Sequence, residues 1–210
     1  LVDNGASHEK PNRGRKDLDA AWGSVGSFEA IGRSWANAAN SPLRKWKVQG
    51  LEGGIGTPMI AHWPTGISAK PRSFNREPCH LIDLLPTFIE LAGNGAKYLK
   101  DLPKLDGISL TPTFRSEKLE RNAPLCFQYG TWQSIHKDNW KLVQVKSEPW
   151  QLYDLSRDRT ETRDLAKQFP ERVERMEGRW RAWYQDCTGK DWEPAKGKKP
   201  KRSKNKKSPL

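Results

Sequence analysis

The chain has 210 residues, 35% of them hydrophobic, with 17 glycines and 15 prolines, a composition that sets a modest core and long loops in one medium domain or two small ones. No run of 18 or more apolar residues occurs, which excludes a membrane-spanning helix, and the polar opening carries no signal-peptide pattern. The formal net charge is +12, but eight Lys or Arg and no acid lie from Lys196 onward. The remainder therefore carries only +4, and charge alone does not make the chain a specific nucleic-acid binder.

In chain order, "LVDNG" (1–5) reads as a strand end entering a turn, as if its upstream partners had been cut away, and the chain is expected to be a fragment. Residues 8–40 are polar and rich in Gly and Asn without sustained period, which predicts a long surface loop. In "SPLRKWKVQGLEGGIG" (41–56) three cations, Arg44, Lys45 and Lys47, precede the acid-glycine turn Glu52-Gly53-Gly54. A strand-like path there would put positions 45 and 47 on one face. "TPMIAHWP" (57–64), apolar and bounded by prolines, predicts a buried strand. "HLIDLLPTFIELAG" (80–93) predicts a helix with Asp83 as N-cap, Pro86 in the first turn, an apolar face of Leu84, Leu85, Phe88, Leu91 and Ala92, and Gly93 as terminator.

A linker near residues 94–107 precedes a change in composition. "LCFQYG" (125–130), "TWQSIHKDNWKLVQV" (131–145) and "WQLYDL" (150–155) alternate apolar and polar residues, with "KSEP" (146–149) as a hairpin turn, and together predict a small antiparallel sheet. Residues 170–184 place Val173, Met176, Trp180 and Trp183 at helical spacing, predicting a closing helix over that sheet. Residues 191–210 form a basic tail without apolar periodicity, expected to be disordered and solubilising.

Taken singly, the polar motifs have modest readings. Cys79, Cys126 and Cys187 are odd in number and widely spaced, which argues against a disulfide framework or a cysteine metal site. His8, His62, His80 and His136 lack metal-ligand spacing and read as structural. Trp140, Trp150, Trp180 and Trp183 fall on apolar faces and read as core. Asp3-Asn4-Gly5 reads as a tight turn, or as two adjacent hard-oxygen ligands for a divalent cation such as Ca²⁺.

The succession "LVDNG", "PLRKWK" then "EGGIGTP", "HLIDLLPTFIELAG", "DGISL", "NWKLV" and "WQLYDLSRDRTETRDLA" resembles the C-terminal half of the type I, formylglycine-dependent sulfatases, the arylsulfatase branch in particular, from residue 1 to about 185. The resemblance implies an α/β, alkaline-phosphatase-like fold: residues 1–100 as the end of the large α/β domain, 101–190 as a small domain with an antiparallel sheet and a C-terminal helix, and 191–210 as the tail. It implies that Asp3 and Asn4 complete a Ca²⁺ (or other divalent cation) site and that Lys47 contacts the sulfate of a small-molecule or carbohydrate sulfate ester. Arg44 and Lys45 are left as loop structure and solvated charge, Glu52, Gly53 and Gly54 as the turn that aims Lys47, and Asp154 and Asp164 as structural. The family's nucleophile, a formylglycine made in a C/S-x-P-x-R motif, has no match in the 210 residues. The expectation is a sulfatase portion inactive without an upstream half that supplies the formylglycine; the family suggests an exported or periplasmic protein. Alternative readings are a phosphodiesterase or phosphonate hydrolase of the same superfamily, or a non-enzymatic basic polyanion-binding module.

Overall fold

The computed structural model describes residues 2–10, 19–21, 23–27, 30–68, 74–93, 97, 103–145 and 148–193. Residues 194–210 of the expected basic tail, Leu1, most of the 94–107 linker and the first half of the 146–149 turn lie outside these residues; at the start of that tail Trp192 is not disordered but packs on Trp180. The described elements are α1 (Gly32–Ala39), α2 (Glu52–Ile55), a 3₁₀ turn (Leu81–Asp83), α3 (Leu84–Leu91) and α4 (Thr111–Phe114). They are followed by strands β1 (Leu125–Tyr129), β2 (Trp132–Lys137), β3 (Trp140–Val145) and β4 (Gln151–Asp154), and by α5 (Pro170–Thr188). No helix among the described residues is long and apolar enough to cross a membrane.

Contacts group Pro58–Leu125 into one compact unit and Val2–Thr57 with Cys126–Leu210 into another. This grouping cuts across the chain-order division at residue 100. In the second unit the strands form one sheet in the order β1-β2-β3-β4, with β2–β3 and β3–β4 antiparallel. The 131–145 run becomes two strands because Asp138, at φ 54°, turns the chain between Lys137 and Trp140. Asp accepts that left-handed conformation more readily than most residues.

Strand alternation assigns each face of the sheet its own cover. Ile135 and Leu142, paired across β2 and β3, and Leu152, paired with Leu142, share one face. They pack with Trp150 and with Met176 and Trp180 of α5, as the helical spacing predicted. Trp180 is fully buried, its indole N–H donates to Phe127 O at 3.1 Å, and Trp150, Trp183, Tyr184 and Trp192 surround its ring. Burying four or five such rings supplies most of the apolar area of this small core. α5 begins with Pro170 in its first turn and ends at Gly189, φ 66°, the usual left-handed stop.

The opposite face carries Val143 and Tyr153, packed against Leu51 just before α2. Gly50 lies against the same face: a methyl group there would stand 3.3 Å from Val143 Cγ2 and 3.4 Å from Ser134 Oγ. Both faces of β3 are therefore covered, and residues 141–144 are buried in succession where a one-sided sheet would alternate.

Four local expectations are corrected. Residues 57–64 form no strand and Ile60 is 87% exposed; an apolar run becomes a buried strand only where a neighbouring strand pairs with it, and the described sheet consists of β1–β4. Val2 also lies outside any strand. Residues 32–39 form α1 inside the expected loop, held by the single buried residue Ala36, so no large apolar period announces it. In the Pro58–Leu125 unit Asp83 stands at the N-cap position of α3 but makes no side-chain cap there; the side-chain cap is that of His80 on the preceding 3₁₀ turn, and the buried Asp83 carboxylate serves as an acceptor. It accepts from His80 N (2.7 Å) and Ile108 N (3.0 Å) and pairs with Arg121. The apolar stripe of α3 is exposed, Leu85 by 50% and Phe88 by 62%, while Thr87 is buried and links Asp83 O to Leu110 N. Gly93, φ 73°, ends α3 as expected.

Candidate functional site

Two segments far apart in sequence are clasped together in the second unit. Gly5 N–H donates to Gly54 O (3.0 Å) and Lys47 N–H to Ala6 O (3.0 Å). Asn40 bridges them: its Oδ1 accepts from Ala6 N (3.0 Å) and its Nδ2 donates to Lys45 O (2.9 Å). The His8 ring stacks on Trp46 at 5.6 Å between centroids. The turn bearing Asp3 and Asn4 is thereby held beside the loop bearing Lys47.

Glycine makes the approach possible. A methyl group on Gly5 would stand 1.8 Å from Gly53 O, one on Gly53 2.3 Å from Arg44 O, and one on Gly54 2.1 Å from Gln49 O. Neither Gly53 nor Gly54 has positive φ. In the turn they form, glycine is required by closeness of packing and not by a left-handed backbone angle.

Asp3 is exposed, and Asn4 and Lys47 are half-buried. The Lys47 loop is not strand-like, so the shared face expected for positions 45 and 47 does not exist. Lys45 and Val48 adopt φ of 70° and 84°, and Lys45 Nζ sits over the Trp46 ring at 5.4 Å. A β-branched residue in the left-handed region is strained, and such strain persists where surrounding contacts over-determine it and clusters at ligand-binding loops. Arg44 is less solvated than expected: its guanidinium donates to Glu161 O and its own carbonyl accepts from Gly53 N at 2.9 Å. The carboxylate of Asp3 and the amide oxygen of Asn4 are hard donors suited to Ca²⁺. Among the described residues no group of three or more His, Cys, Asp or Glu is gathered for a metal.

Under the clasp lies a charged cluster that the sequence did not reveal. Lys141 Nζ is 2.8 Å from Glu52 Oε1 and 2.8 Å from Glu161 Oε1, with Lys141 and Glu161 fully buried. Arg159 is 4.0 Å from Glu52. Burial works against charge on Glu52, but the charge and hydrogen bond of Lys141 outweigh it and hold the carboxyl below the ordinary range. For Glu161 burial wins and pushes the carboxyl up. Two carboxylates sharing one ammonium cannot both be fully compensated. Its members lie in three of the motifs that carry the resemblance, EGGIGTP, NWKLV and WQLYDLSRDRTETRDLA, but 89 positions separate Glu52 from Lys141 and no periodicity announces that they meet. Asn40 was missed for the same reason, as one polar residue in a polar stretch.

Asp154 and Asp164 hold local backbone. Asp154 Oδ1 accepts from Ser156 N (3.0 Å), and Asp164 Oδ1 accepts from Leu152 N (3.0 Å) and Ala166 N (2.9 Å). The three cysteines are free thiols. Burial, with Cys187 nearby, pushes Cys126 up to about 12, which leaves it protonated and a poor nucleophile.

Comparison with known proteins identifies the family. The family described as N-sulphoglucosamine sulphohydrolase, C-terminal, matches residues 47–179. An uncharacterized sulfatase of Schizosaccharomyces pombe is 30% identical over 183 residues, covering 75% of this chain and 30% of that protein. A sulfatase of Formosa agariphila is 31% identical over 166 residues, covering 69% and 30%. The crystal structure of Ps i-CgsB in complex with k-i-k-neocarrahexaose superimposes with a TM-score of 0.58 at 27% identity, covering 74% of this chain and 34% of that one. The chain thus spans about a third of the length of the relatives it matches.

Proposed function

Because the chain belongs to the sulfatase family, as its C-terminal portion with the alkaline-phosphatase-like fold, we propose that it serves the hydrolysis of a sulfate ester to an alcohol or phenol and sulfate. The observation that supports the reading is the pair of backbone hydrogen bonds, Gly5 N–H to Gly54 O and Lys47 N–H to Ala6 O, which joins the loop bearing Lys47 to the segment that follows Asp3 and Asn4. In this reading the Lys47 ammonium lies against the non-bridging oxygens of the ester, neutralising charge and orienting sulfur for in-line attack. Asp3 and Asn4 would hold part of a divalent cation's shell. When bound, that cation would add a second positive charge at the sulfate. The nucleophile lies outside the residues assigned here, since no C/S-x-P-x-R motif occurs among the 210.

The substrate class proposed is a carbohydrate sulfate ester. Support comes from the likeness to Ps i-CgsB, solved with k-i-k-neocarrahexaose. Comparing kcat/KM on a sulfated oligosaccharide and on a small aryl sulfate tests this, and a preference for the aryl ester would overturn it.

The central test is Lys47→Ala in the full-length protein. Loss of a preorganised charge-assisted contact should lower kcat/KM by about tenfold to a thousandfold. Lys45→Ala is the control, since its ammonium is occupied over Trp46. If both variants fold and Lys47→Ala keeps nearly full activity, or Lys45→Ala is the more damaging, the reading is wrong.

A further inference from the structure

The charged cluster beneath the clasp has no part in the chemistry just described, yet it takes in Lys141 and Glu161, both fully buried. Stability is a poor account of it. Removing three charges from water costs several kcal/mol per ion, and buried ionic clusters can often be replaced by apolar side chains of similar volume without loss. Its attachments are more telling. Glu161 Oε2 accepts the Glu52 N–H at 2.7 Å, so the second glutamate holds the start of α2 through backbone as well as through Lys141. Glu161 O accepts from the Arg44 guanidinium, and Glu161 itself is held at φ 55°. The two glutamates that flank Lys141 therefore fasten both ends of the loop 44–54, with Lys47 between them. α2 continues directly into the clasp, since Gly53 N–H donates to Arg44 O and Gly54 O accepts from Gly5 N–H.

We propose that Lys141 is a positioning residue: the Glu52–Lys141–Glu161 bridge locks α2 and the Lys47 loop onto the face of the sheet that carries Val143, and thereby keeps Lys47 in register with the turn bearing Asp3 and Asn4. Directionality favours this role over simple packing. Leu51 already covers Val143 on the same face, but an apolar contact slides, whereas an ammonium 2.8 Å from each of two carboxylates defines one position of α2. The loop above it contains two non-glycine residues in the left-handed region, Lys45 and Val48, and a strained loop needs such a fixed base.

The proposal takes the identity of Lys47's ligand from the sulfatase reading, but the bridge is tested without it. Amide hydrogen exchange followed by NMR reports Gly5, Ala6 and Lys47, the donors of the clasp, separately from Ile135 and Leu142 in the sheet. Lys141→Met should lower protection at the three clasp donors by about tenfold or more beyond any change in the sheet, the size of a lost hydrogen bond to a charged group. Ile135→Val, which thins the core on the other face, should lower protection everywhere in proportion to its change in urea midpoint. Lys141→Met/Glu161→Gln removes one of the two carboxylates left uncompensated, the other, Glu52, keeping Arg159 at 4.0 Å; it should recover part of the urea midpoint without recovering the clasp. It also stands in if Lys141→Met fails to fold. Protection that falls uniformly in the double variant, or does not fall at the clasp donors, overturns the proposal. In the full-length enzyme the clasp-loosened variant should lose kcat with KM changed less than twofold to threefold, an approximate bound for a misplaced transition-state contact. If Lys47→Ala leaves sulfatase activity intact while Lys141→Met still loosens the clasp, the assignment of Lys47 as the sulfate contact fails and the role of the bridge in fixing the loop stands.

Discussion

Gly5→Ala isolates the clasp from everything else in the chain. Gly5 has no positive φ among the described residues, so alanine is not excluded by its backbone angles. It is excluded by distance: the new methyl would stand 1.8 Å from Gly53 O and 2.9 Å from Gly53 C. An ordinary carbon–oxygen contact is about 3.3 Å, so the two backbones must part by about 1.5 Å. Separation of that size breaks Gly5 N–Gly54 O, Lys47 N–Ala6 O and Ala6 N–Asn40 Oδ1, each 3.0 Å. The freed groups then meet water, so the cost saturates at the net value of three hydrogen bonds, about 3 kcal/mol. The sheet and α5 lie apart from the clash and keep their packing. Hydrogen exchange should show Lys47 N–H losing protection while Ile135 and Leu142 change only by the global shift, and urea denaturation should give a destabilisation of no more than about 3 kcal/mol. A Gly5→Ala variant with unchanged stability and a protected Lys47 amide would refute the clasp.

Gly178→Ala is the opposite case: nothing lies within 4 Å of the added methyl and the site is exposed in mid-α5, so the urea midpoint should rise, by about 0.5–1 kcal/mol in stability. Asp164→Ala removes the acceptor of two backbone N–H groups and should cost about 1–3 kcal/mol by chemical denaturation, with the sulfatase rate per folded molecule unchanged. Burial holds the His136 imidazole below the ordinary histidine range, Lys141 adding to the effect and Glu52 and Asp138 opposing it. A histidine depressed in the folded state gives stability that is whole above its unfolded pKa of about 6.5 and is lost as pH falls through the folded value. The urea midpoint should therefore fall between pH 7 and pH 5, and His136→Gln should shrink that fall; His80, depressed chiefly by burial, contributes a fall of its own that this variant leaves in place.

What the sequence makes legible is what its periodicity encodes. Period-two alternation located β1, β3 and β4, and helical spacing located α5 with Met176 and Trp180 on its buried side, because each pattern arises within a few residues of chain. The ordered motifs around Lys47 and Asp3-Asn4 pointed to the family for a different reason, since a backbone approach as close as Gly5 to Gly53 tolerates few residue types. The same logic explains the failures. "TPMIAHWP" has strand composition but no partner strand among the described residues, and α3 has an apolar stripe of which Leu85 and Phe88 are largely exposed; composition states what a segment could bury and is silent on whether a partner is present.

The sheet's second face shows why long-range charge escapes such reading. At position 141 the alternation of β3 places Lys141 on the same side as Val143, and Lys in a strand is ordinarily a mark of the solvated face. Here that face is closed by Leu51 and Glu52, and Lys141 is fully buried. Two carboxylates brought from 89 and 20 positions away compensate it. Nothing local distinguishes such a lysine from a solvated one, because the compensation exists only after folding. Energetics supply the missing criterion: an ammonium can stay charged at zero exposure only if counter-charges are fixed against it. Their presence on the Lys47 loop and its anchor makes Lys141 informative about the site, not merely about the core.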